Sequence, residues 1–441
     1  MNTLISRLIA ATACSVSLTG IASADWTRSY VVDWYEPAHY YGAETGITDP
    51  GTDCPAGTNP EIDWEEVLIR SGYTPEEAKW LRHPEHPYRV PNHGQNQMAF
   101  RGENRANVYL EPWTTPDPGL TQVSGEISEG FDLDGNPETG FVSPDGVPGI
   151  DNEFYRTTGC WKYYRGPERR SYVAESWNDR MLEGGWTVVV VISGEGDDPM
   201  NDDNVQVAFY DSADKLVRDG TGAVASNYTF TVAPNEKYEA IFQARSVDGE
   251  IVTKAPMDEV WFRDTSYTKD LQLLQAQLKL TMNEDGTLKG LVGGYRPWEP
   301  VHNQLVDARG SVIESLTWIE LPALWYALKR NADYSPEGAD GEKTHISYAM
   351  RVSAVPAYVM LEDASDEVQI ARSFRNEPTA EPWAPLPKAV SFSTVTVERG
   401  IVRENDRYFL AGPDAPIIPP DMTRDELFAS KATADGEAGG Q

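Results

Sequence analysis

The sequence predicts a mainly β protein with a β-sandwich or jelly-roll core domain. It also predicts an irregular N-terminal lead-in and a mixed α+β C-terminal region. Between residues 105 and 266, β-branched and aromatic residues alternate with polar ones, and Gly, Asp and Asn separate the runs. One run, WTVVVVI at 186–192, is continuously apolar, which is typical of a strand buried on both faces.

The first 24 residues have the pattern of a signal peptide. Arg7 supplies a positive start, an apolar run follows, and Ala22-Ser23-Ala24 forms a cleavage sequence before Asp25. We therefore expect a periplasmic or secreted protein after cleavage between Ala24 and Asp25. No later apolar run reaches the roughly 18 residues needed to span a bilayer, so we predict no membrane insertion.

The rest of the 441-residue chain is too long for one simple core and divides into four segments. An irregular and helical N-terminal segment with a histidine cluster occupies 25–104, and the sandwich occupies 105–266. The α+β region covers 267–420, with a hairpin around 278–295, a helical pattern at 311–331 that Pro322 divides, and a strand pair within 390–411. A Gly- and Ala-rich acidic tail, 421–441, is predicted to be disordered.

Two cysteines, Cys54 and Cys160, remain after the predicted cleavage. In an oxidising compartment an isolated pair most economically forms one disulfide, which would join the N-terminal segment to the middle of the chain. The alternative, a catalytic thiol, lacks flanking residues that would lower a thiol pKa.

The chain is strongly acidic, with 69 Asp and Glu against 37 Lys and Arg and a net charge of −32. Such a field repels nucleic acid and anionic lipid and attracts cations. We therefore predict no nucleic-acid partner. A high acidic content also favours solubility by itself, so a specific cation site has to rest on a local cluster.

One segment, FDLDGNPETGFVSPDGVPGIDNEF at 131–154, concentrates oxygen ligands among glycines and prolines. Calcium prefers six to eight such oxygens in a forgiving geometry. EF-hand spacing is absent, so we predict a loop site on the β domain, holding a structural ion. The alternative is that Asp, Asn and Gly are simply turn residues. The predicted ligands are Asp132, Asp134, Asn136, Asp145, Asp151, Asn152 and Glu153. A second acidic stretch at 197–204 could serve the same ion or another.

Three of the six histidines, His83, His86 and His93, fall within eleven residues of a proline-rich stretch. Neutral imidazoles suit transition metals, and His39 could complete such a site. The HExxH motif is absent, so the sequence does not support a zincin. The CxxCH motif is also absent, which excludes covalently attached c-type haem. The competing interpretation is a stiff surface loop whose histidines form local hydrogen bonds.

Aromatic residues in predicted loops are candidates for ligand binding, because exposed rings stack on sugars or fill partner pockets. The alternative is that the rings form small cores beneath long loops. The predicted binding residues are Trp34, Tyr35, Trp161 and Tyr164.

Three segments resemble exported bacterial proteins of unassigned activity: FDLDG…DGVPGIDNEFYRTTGC, DDNVQVAFYDS, and LPALWYALKRNADYSPEG…THISYAMRVSAVPAY. Together the similar segments cover about half of the chain. The resemblance implies export and a β-rich domain, and it assigns no catalytic residue.

Taken together, the sequence favours an exported, calcium-stabilised β-sandwich protein that binds a glycan or a protein partner. The alternative is an exported enzyme. It would be a carbohydrate-active hydrolase or lyase, or a metal-dependent oxidoreductase that uses His83, His86 and His93. Hydrolysis needs only two suitably separated carboxyl groups, and the sequence alone cannot select them among 69.

Overall fold

The computed structural model describes residues 26–42, 51–58, 74–76, 79, 111–233, 235–263, 270–307 and 321–360, and two short strands at 401–404 and 407–410. The predicted signal peptide, His83, His86, His93 and the predicted tail lie outside these residues.

The described chain is mostly strand. In chain order the strands are β1 (Trp26–Pro37), β2 (Phe141–Val142), β3 (Pro148–Ile150), β4 (Thr187–Gly194), β5 (Asp202–Ser212), β6 (Tyr228–Thr231), β7 (Ala240–Val247), β8 (Glu250–Thr253), β9 (Met257–Arg263), β10 (Asp270–Met282), β11 (Leu288–Pro297), β12 (His345–Met360), β13 (Ile401–Glu404) and β14 (Arg407–Leu410).

Eight of these strands form a closed antiparallel barrel in the order β1-β4-β5-β7-β8-β10-β11-β12. The sheet closes because β1 pairs with β4 along one edge and with β12 along the other. Outside the ring, β9 pairs with β10, and β6 adds to the end of β12 in parallel. The pairs β2–β3 and β13–β14 are separate hairpins. The mainly β class is therefore confirmed, whereas a two-sheet sandwich is not.

Side chains from the inner face of the barrel fill it. Along β7, for example, Ala240, Phe242 and Ala244 are buried while Ile241 and Gln243 are exposed. This alternation places every second residue inside. In an eight-stranded barrel the interior is just wide enough for side chains to fill or for one small ligand. The barrel core is therefore a continuous apolar cluster to which all eight strands contribute.

The α-helices discussed below are α1 (Glu153–Thr158), α2 (Tyr172–Leu182), α3 (Trp298–Asp307) and α4 (Leu321–Asn331), and two short 3-10 helices lie at Pro112–Thr114 and Glu236–Tyr238. Helix α2 packs against β1, and α4 packs against α1 and α3. Pro322 is the second residue of α4, where its missing N–H leaves no helical hydrogen bond unmade. None of the helices in this part of the chain combines the length and apolar character needed to cross a bilayer.

The barrel draws its strands from three segments that the sequence pattern separates. Strand β1 comes from 25–104. Strands β4, β5, β7 and β8 come from 105–266, and β10, β11 and β12 come from 267–420. The expectation of a wholly irregular lead-in is wrong for β1, where Tyr30, Val31 and Val32 are buried in the barrel core. A boundary near residue 266 thus does not separate two independent sheets.

A second, small core lies beside the barrel. It contains the predicted disulfide, which the structure confirms between Cys54 and Cys160 with a Cα–Cα distance of 5.7 Å. The buried ion pair between Asp53 and Arg165 adjoins it. The members of this small core are Cys54, Val123, Phe141, Ile150, Tyr155 and Cys160.

Candidate metal site

The segment 131–151, hereafter the acidic loop, lies against the outside of the barrel. Its first residue, Phe131, packs on Gly293 of β11, where an added Cβ would come within 2.7 Å of the Phe131 ring. The backbone N–H of Asp151 donates to the carbonyl of Phe131 at 2.8 Å, which joins the two ends of the loop. The β2–β3 hairpin lies between these ends and buries Phe141 and Ile150 in the small core.

Three carboxylates of the acidic loop converge. Asp132, Asp134 and Asp151 each offer an oxygen that lies within 4.8 Å of the others. Asp132 and Asp134 are exposed, whereas Asp151 is only 7% exposed. The cluster is therefore anchored at its base by a buried carboxylate and is open to solvent on one side.

Backbone hydrogen bonds orient these carboxylates. Asp151 Oδ2 accepts from the N–H groups of Leu133 and Asp134 at 2.8 and 3.1 Å. Asp132 Oδ1 accepts from the N–H of Gly135 at 2.7 Å. Asp134 Oδ1 accepts from the N–H of Asn136 at 2.7 Å. Short Asp-to-backbone bonds of this kind shape turns, and here they turn three side chains toward one point.

The cluster concentrates negative charge. Burial raises the pKa of Asp151, the backbone hydrogen bonds from Leu133 and Asp134 oppose the rise, and the charges of Asp134 and Asp132 add to it. The resulting pKa is about 6. Among the described residues, no ion pair involves any of these three carboxylates. A divalent cation would supply the missing positive charge.

The remaining predicted ligands divide into two groups. Asn136 is exposed in the adjoining turn, where its side-chain oxygen accepts from the N–H of Glu138 at 3.1 Å. Asp145 is exposed in the turn between β2 and β3 and is not part of the converging group. Asn152 and Glu153, in contrast, serve the start of helix α1.

Asn152 is buried and caps α1. Its side-chain oxygen accepts from the N–H of Tyr155, and its amide donates to the carbonyls of Ala38 and Glu129, both at 2.9 Å. Both carboxylate oxygens of Glu153 accept from Arg156 Nε. The structure thus gives these two side chains other partners than the cluster, since capping satisfies N–H groups that a helix leaves unpaired.

The second acidic stretch is also used structurally. Asp202 is buried and accepts from Trp26 Nε1 at 2.8 Å and from the N–H of Gly196 at 2.7 Å. Asp198 accepts from the N–H of Met200 at 2.9 Å. Within the described residues, this stretch contributes no member to a metal-sized group.

His39 is the one histidine of the predicted transition-metal set that the structure describes. It is buried, and its Nε2 lies 3.1 Å from the hydroxyl of Thr158. Burial and, to a smaller extent, the charge of Arg351 together lower the pKa of His39 to about 3. His39 is therefore neutral at pH 7, and its environment is a packed interior.

The predicted aromatic binding residues are mostly interior. Trp161 and Tyr164 are buried and stack with their ring centroids 5.4 Å apart. Trp34 is half-buried and donates to Glu36 at 3.1 Å, and Tyr35 stacks on Trp177. For Trp161 and Tyr164, the interpretation as core beneath loops is correct. Among the described residues, the exposed aromatic rings are instead those of Trp113, Tyr228 and Tyr358.

Sequence reasoning also missed Asp333, which lies just after α4. Burial raises the pKa of Asp333, hydrogen bonds from Ser347 oppose the rise, and the charges of Glu153 and Asp151 add to it. The resulting pKa is about 7. The backbone N–H of Ser347 donates to its Oδ1 at 2.8 Å. No motif surrounds Asp333 in the sequence, because its neighbours come from α1, the acidic loop and β12.

Comparison of the chain with protein-family models, with curated proteins and with solved structures gives no significant match.

Proposed function

We propose that this chain is a calcium-binding protein in which the ion holds the acidic loop on the β-barrel. The observation that carries the proposal is the convergence of Asp132, Asp134 and Asp151 within 4.8 Å around a buried base. Hard carboxylate oxygens in an irregular loop suit calcium, which takes further oxygens from carbonyls and water. Its two positive charges would offset the repulsion among the three carboxylates.

A structural role for the ion follows from the position of the cluster. The acidic loop contributes Phe141 and Ile150 to a core of six residues, so little apolar burial holds it in place. An ion that binds only the folded loop stabilises that fold by mass action. Catalysis would in addition require a substrate-sized cleft beside the ion, so we propose a structural ion and no catalytic one.

Export and a glycan or protein partner remain predictions from the sequence. The Cys54–Cys160 disulfide is compatible with an oxidising compartment. Tyr228 of β6 and Tyr358 of β12 lie on adjacent strands, and both rings are about half exposed or more, at 48% and 62%. We propose these rings, in place of Trp161 and Tyr164, as the surface that meets such a partner.

The enzyme alternative stays open as a prediction. Its oxidoreductase version depends on His83, His86 and His93, which lie outside the described residues. Elemental analysis of the purified protein separates the two proposals, because calcium binding predicts calcium without a stoichiometric transition metal.

Calcium titration of chelator-treated protein tests the site directly. We expect saturable binding of one ion per chain and a higher melting temperature with calcium. Asp132→Asn combined with Asp134→Asn should weaken binding by at least about tenfold, since two charged ligands are lost. Asp145→Asn is the matched control, because Asp145 is an exposed carboxylate of the same loop outside the cluster.

Two results would contradict this assignment. One is undiminished calcium binding in the double variant, and the other is an equal loss in the Asp145→Asn control. Since all three substituted residues are exposed or in turns, none of these changes is expected to unfold the barrel.

A further inference from the structure

A cavity of about 40 Å³ lies among core residues of the barrel and residues of α2. Its wall is almost entirely apolar and aromatic. The lining includes Trp177 and Met181 of α2, Phe209 of β5, and Tyr348 and Met350 of β12. A water molecule needs roughly 10–15 Å³ measured in this way, so the cavity exceeds the space for one water.

One charged side chain in the wall of this cavity, that of Arg296, has no acidic partner among the described residues. Arg296 is 4% exposed and lies on β11 in alternation with the core residue Val292, so it faces the barrel interior. Its guanidinium carbon lies 4.8 Å from the ring centre of Tyr348 and 5.4 Å from that of Phe154. Its Nε is buried without a hydrogen-bond acceptor among the described residues.

The other buried arginine of the described residues, Arg165, is paired with Asp53. The half-buried Arg351 is paired with Glu36 at 3.0 Å and with Glu129. Arg263, which also lines the cavity, pairs with Asp211 at 2.7 Å. Burying an unpaired charge is costly, and Arg296 has no carboxylate partner among the described residues.

A second donor faces the same space. Trp177 is 6% exposed and lines the cavity, and its Nε1 has no acceptor among the described residues. Buried polar groups are nearly always hydrogen-bonded. Two unsatisfied donors in the wall of one apolar cavity therefore indicate a missing acceptor within it.

We propose that this cavity binds a small organic anion, namely a monocarboxylate of the size of acetate, which suits a cavity of about 40 Å³. The carboxylate would accept from the Arg296 guanidinium and from Trp177 Nε1, and such charge-assisted bonds are strong in an apolar site. The methyl group would pack among the aromatic rings, while Met181 and Met350 adapt to its shape. This site is separate from the calcium cluster and does not depend on it.

Calorimetric titration of the full chain with acetate tests the proposal, with acetamide as a neutral probe of the same shape. We expect saturable acetate binding that is at least about tenfold tighter than acetamide binding, because only the carboxylate complements the guanidinium. Formate serves as a smaller second probe. The absence of saturable binding by both carboxylates, or equal affinity for acetamide, would overturn the proposal and leave the cavity to water.

Variants connect the binding to the named donors. Arg296→Met keeps an unbranched apolar stem without the charge and should abolish acetate binding. Arg245→Met, on the exposed outer face of β7, is the matched control and should retain it. Trp177→Phe should weaken binding while keeping an aromatic ring in place, and it decides the question if Arg296→Met fails to fold. Unchanged affinity in Arg296→Met or Trp177→Phe would refute the assignment.

Discussion

The barrel core and the small core differ in what holds them together. Residues of eight strands fill the barrel, and its sheet has no free edge within the ring. The small core has six members, and two of these are the cysteines of a disulfide. A set this small buries too little apolar surface to be stable alone. The comparison indicates that the acidic-loop region depends on a covalent bond, ion pairs and, in our proposal, a metal ion.

The two cores meet at contacts between aromatic side chains and the barrel backbone. Phe131 of the acidic loop lies on Gly293 of the barrel. His39 contacts Tyr155 of the small core and also Phe154 and Tyr164 of the barrel cluster. The following predictions test how far the small core can be disturbed without disturbing the barrel.

The largest effect is expected from removing the disulfide. The pair Cys54→Ala and Cys160→Ala frees a loop with a sequence separation of 106, and the chain-entropy model assigns about 4–5 kcal/mol to such a closure. If the small core opens by itself, amide hydrogen exchange should rise over 141–150 while β5 and β7 stay protected. Unchanged protection at 141–150 would contradict our view of the small core.

A smaller effect is expected from Gly293→Ala at the contact between the cores. The added Cβ would lie 2.7 Å from the Phe131 ring and 2.8 Å from the carbonyl oxygen of Tyr348, so one of them has to move. We expect the free energy of unfolding to fall by about 1–3 kcal/mol, as overpacking usually costs, and calcium affinity to fall with it.

Gly220→Ala is the control for that substitution, because nothing lies within 4 Å of its added Cβ. Denaturant unfolding and calcium titration of both variants provide the measurement. A Gly293→Ala variant with wild-type stability and calcium affinity would mean that the acidic loop does not rest on the barrel as described.

At neutral pH the smallest effect is expected from the titration of His39, because that titration is confined to the acidic range. Its pKa is about 3 in the folded protein and 6.5 in the unfolded chain, so the unfolded chain binds the proton more tightly. Stability contributed by neutral His39 is therefore present above about pH 6.5 and is lost as the pH falls toward 3. The slope is at most about 1.4 kcal/mol per pH unit.

His39→Gln, which keeps a polar partner for Thr158, should remove this part of the pH dependence. The groups that face His39 are the Arg351 cation, the Thr158 hydroxyl and the surrounding rings. Urea unfolding of both proteins over the acidic range gives the difference. Parallel stability curves for His39→Gln and the wild type would show that His39 is protonated without penalty.

Local signals predicted much of the fold. The apolar run at 186–192 became β4, the alternation around residues 205–209 became β5, and the hairpin turn near 283–286 joins β10 and β11. The cysteine count predicted the disulfide. Barrel closure was not predictable in this way, because it depends on the pairing of β1 with β12, for example of Tyr30 with Pro356. The residue pattern of one strand does not identify a partner strand that is distant in the sequence.

The candidate site was predicted in part for a similar reason. Asp132, Asp134 and Asp151 were selected by composition, but so were Asn152 and Glu153, which start a helix. Composition counts oxygen atoms and does not reveal which of them a helix terminus or a neighbouring arginine has already engaged. Arg296 and Trp177 had no sequence signal, since their importance lies in the partners that they lack among the described residues.

The place of β1 in the ring has a consequence for how the molecule is assembled. Strand β1 is the first described strand to be synthesised, yet one of its two neighbours is β12, and Ser29 donates to the carbonyl of Ala357 across a separation of 328 residues. The cylinder therefore cannot be completed until residue 360 or so has been translated. Until then the edge of β1 that pairs with β12 exposes unpaired backbone, so folding is expected to be slow and vulnerable to aggregation.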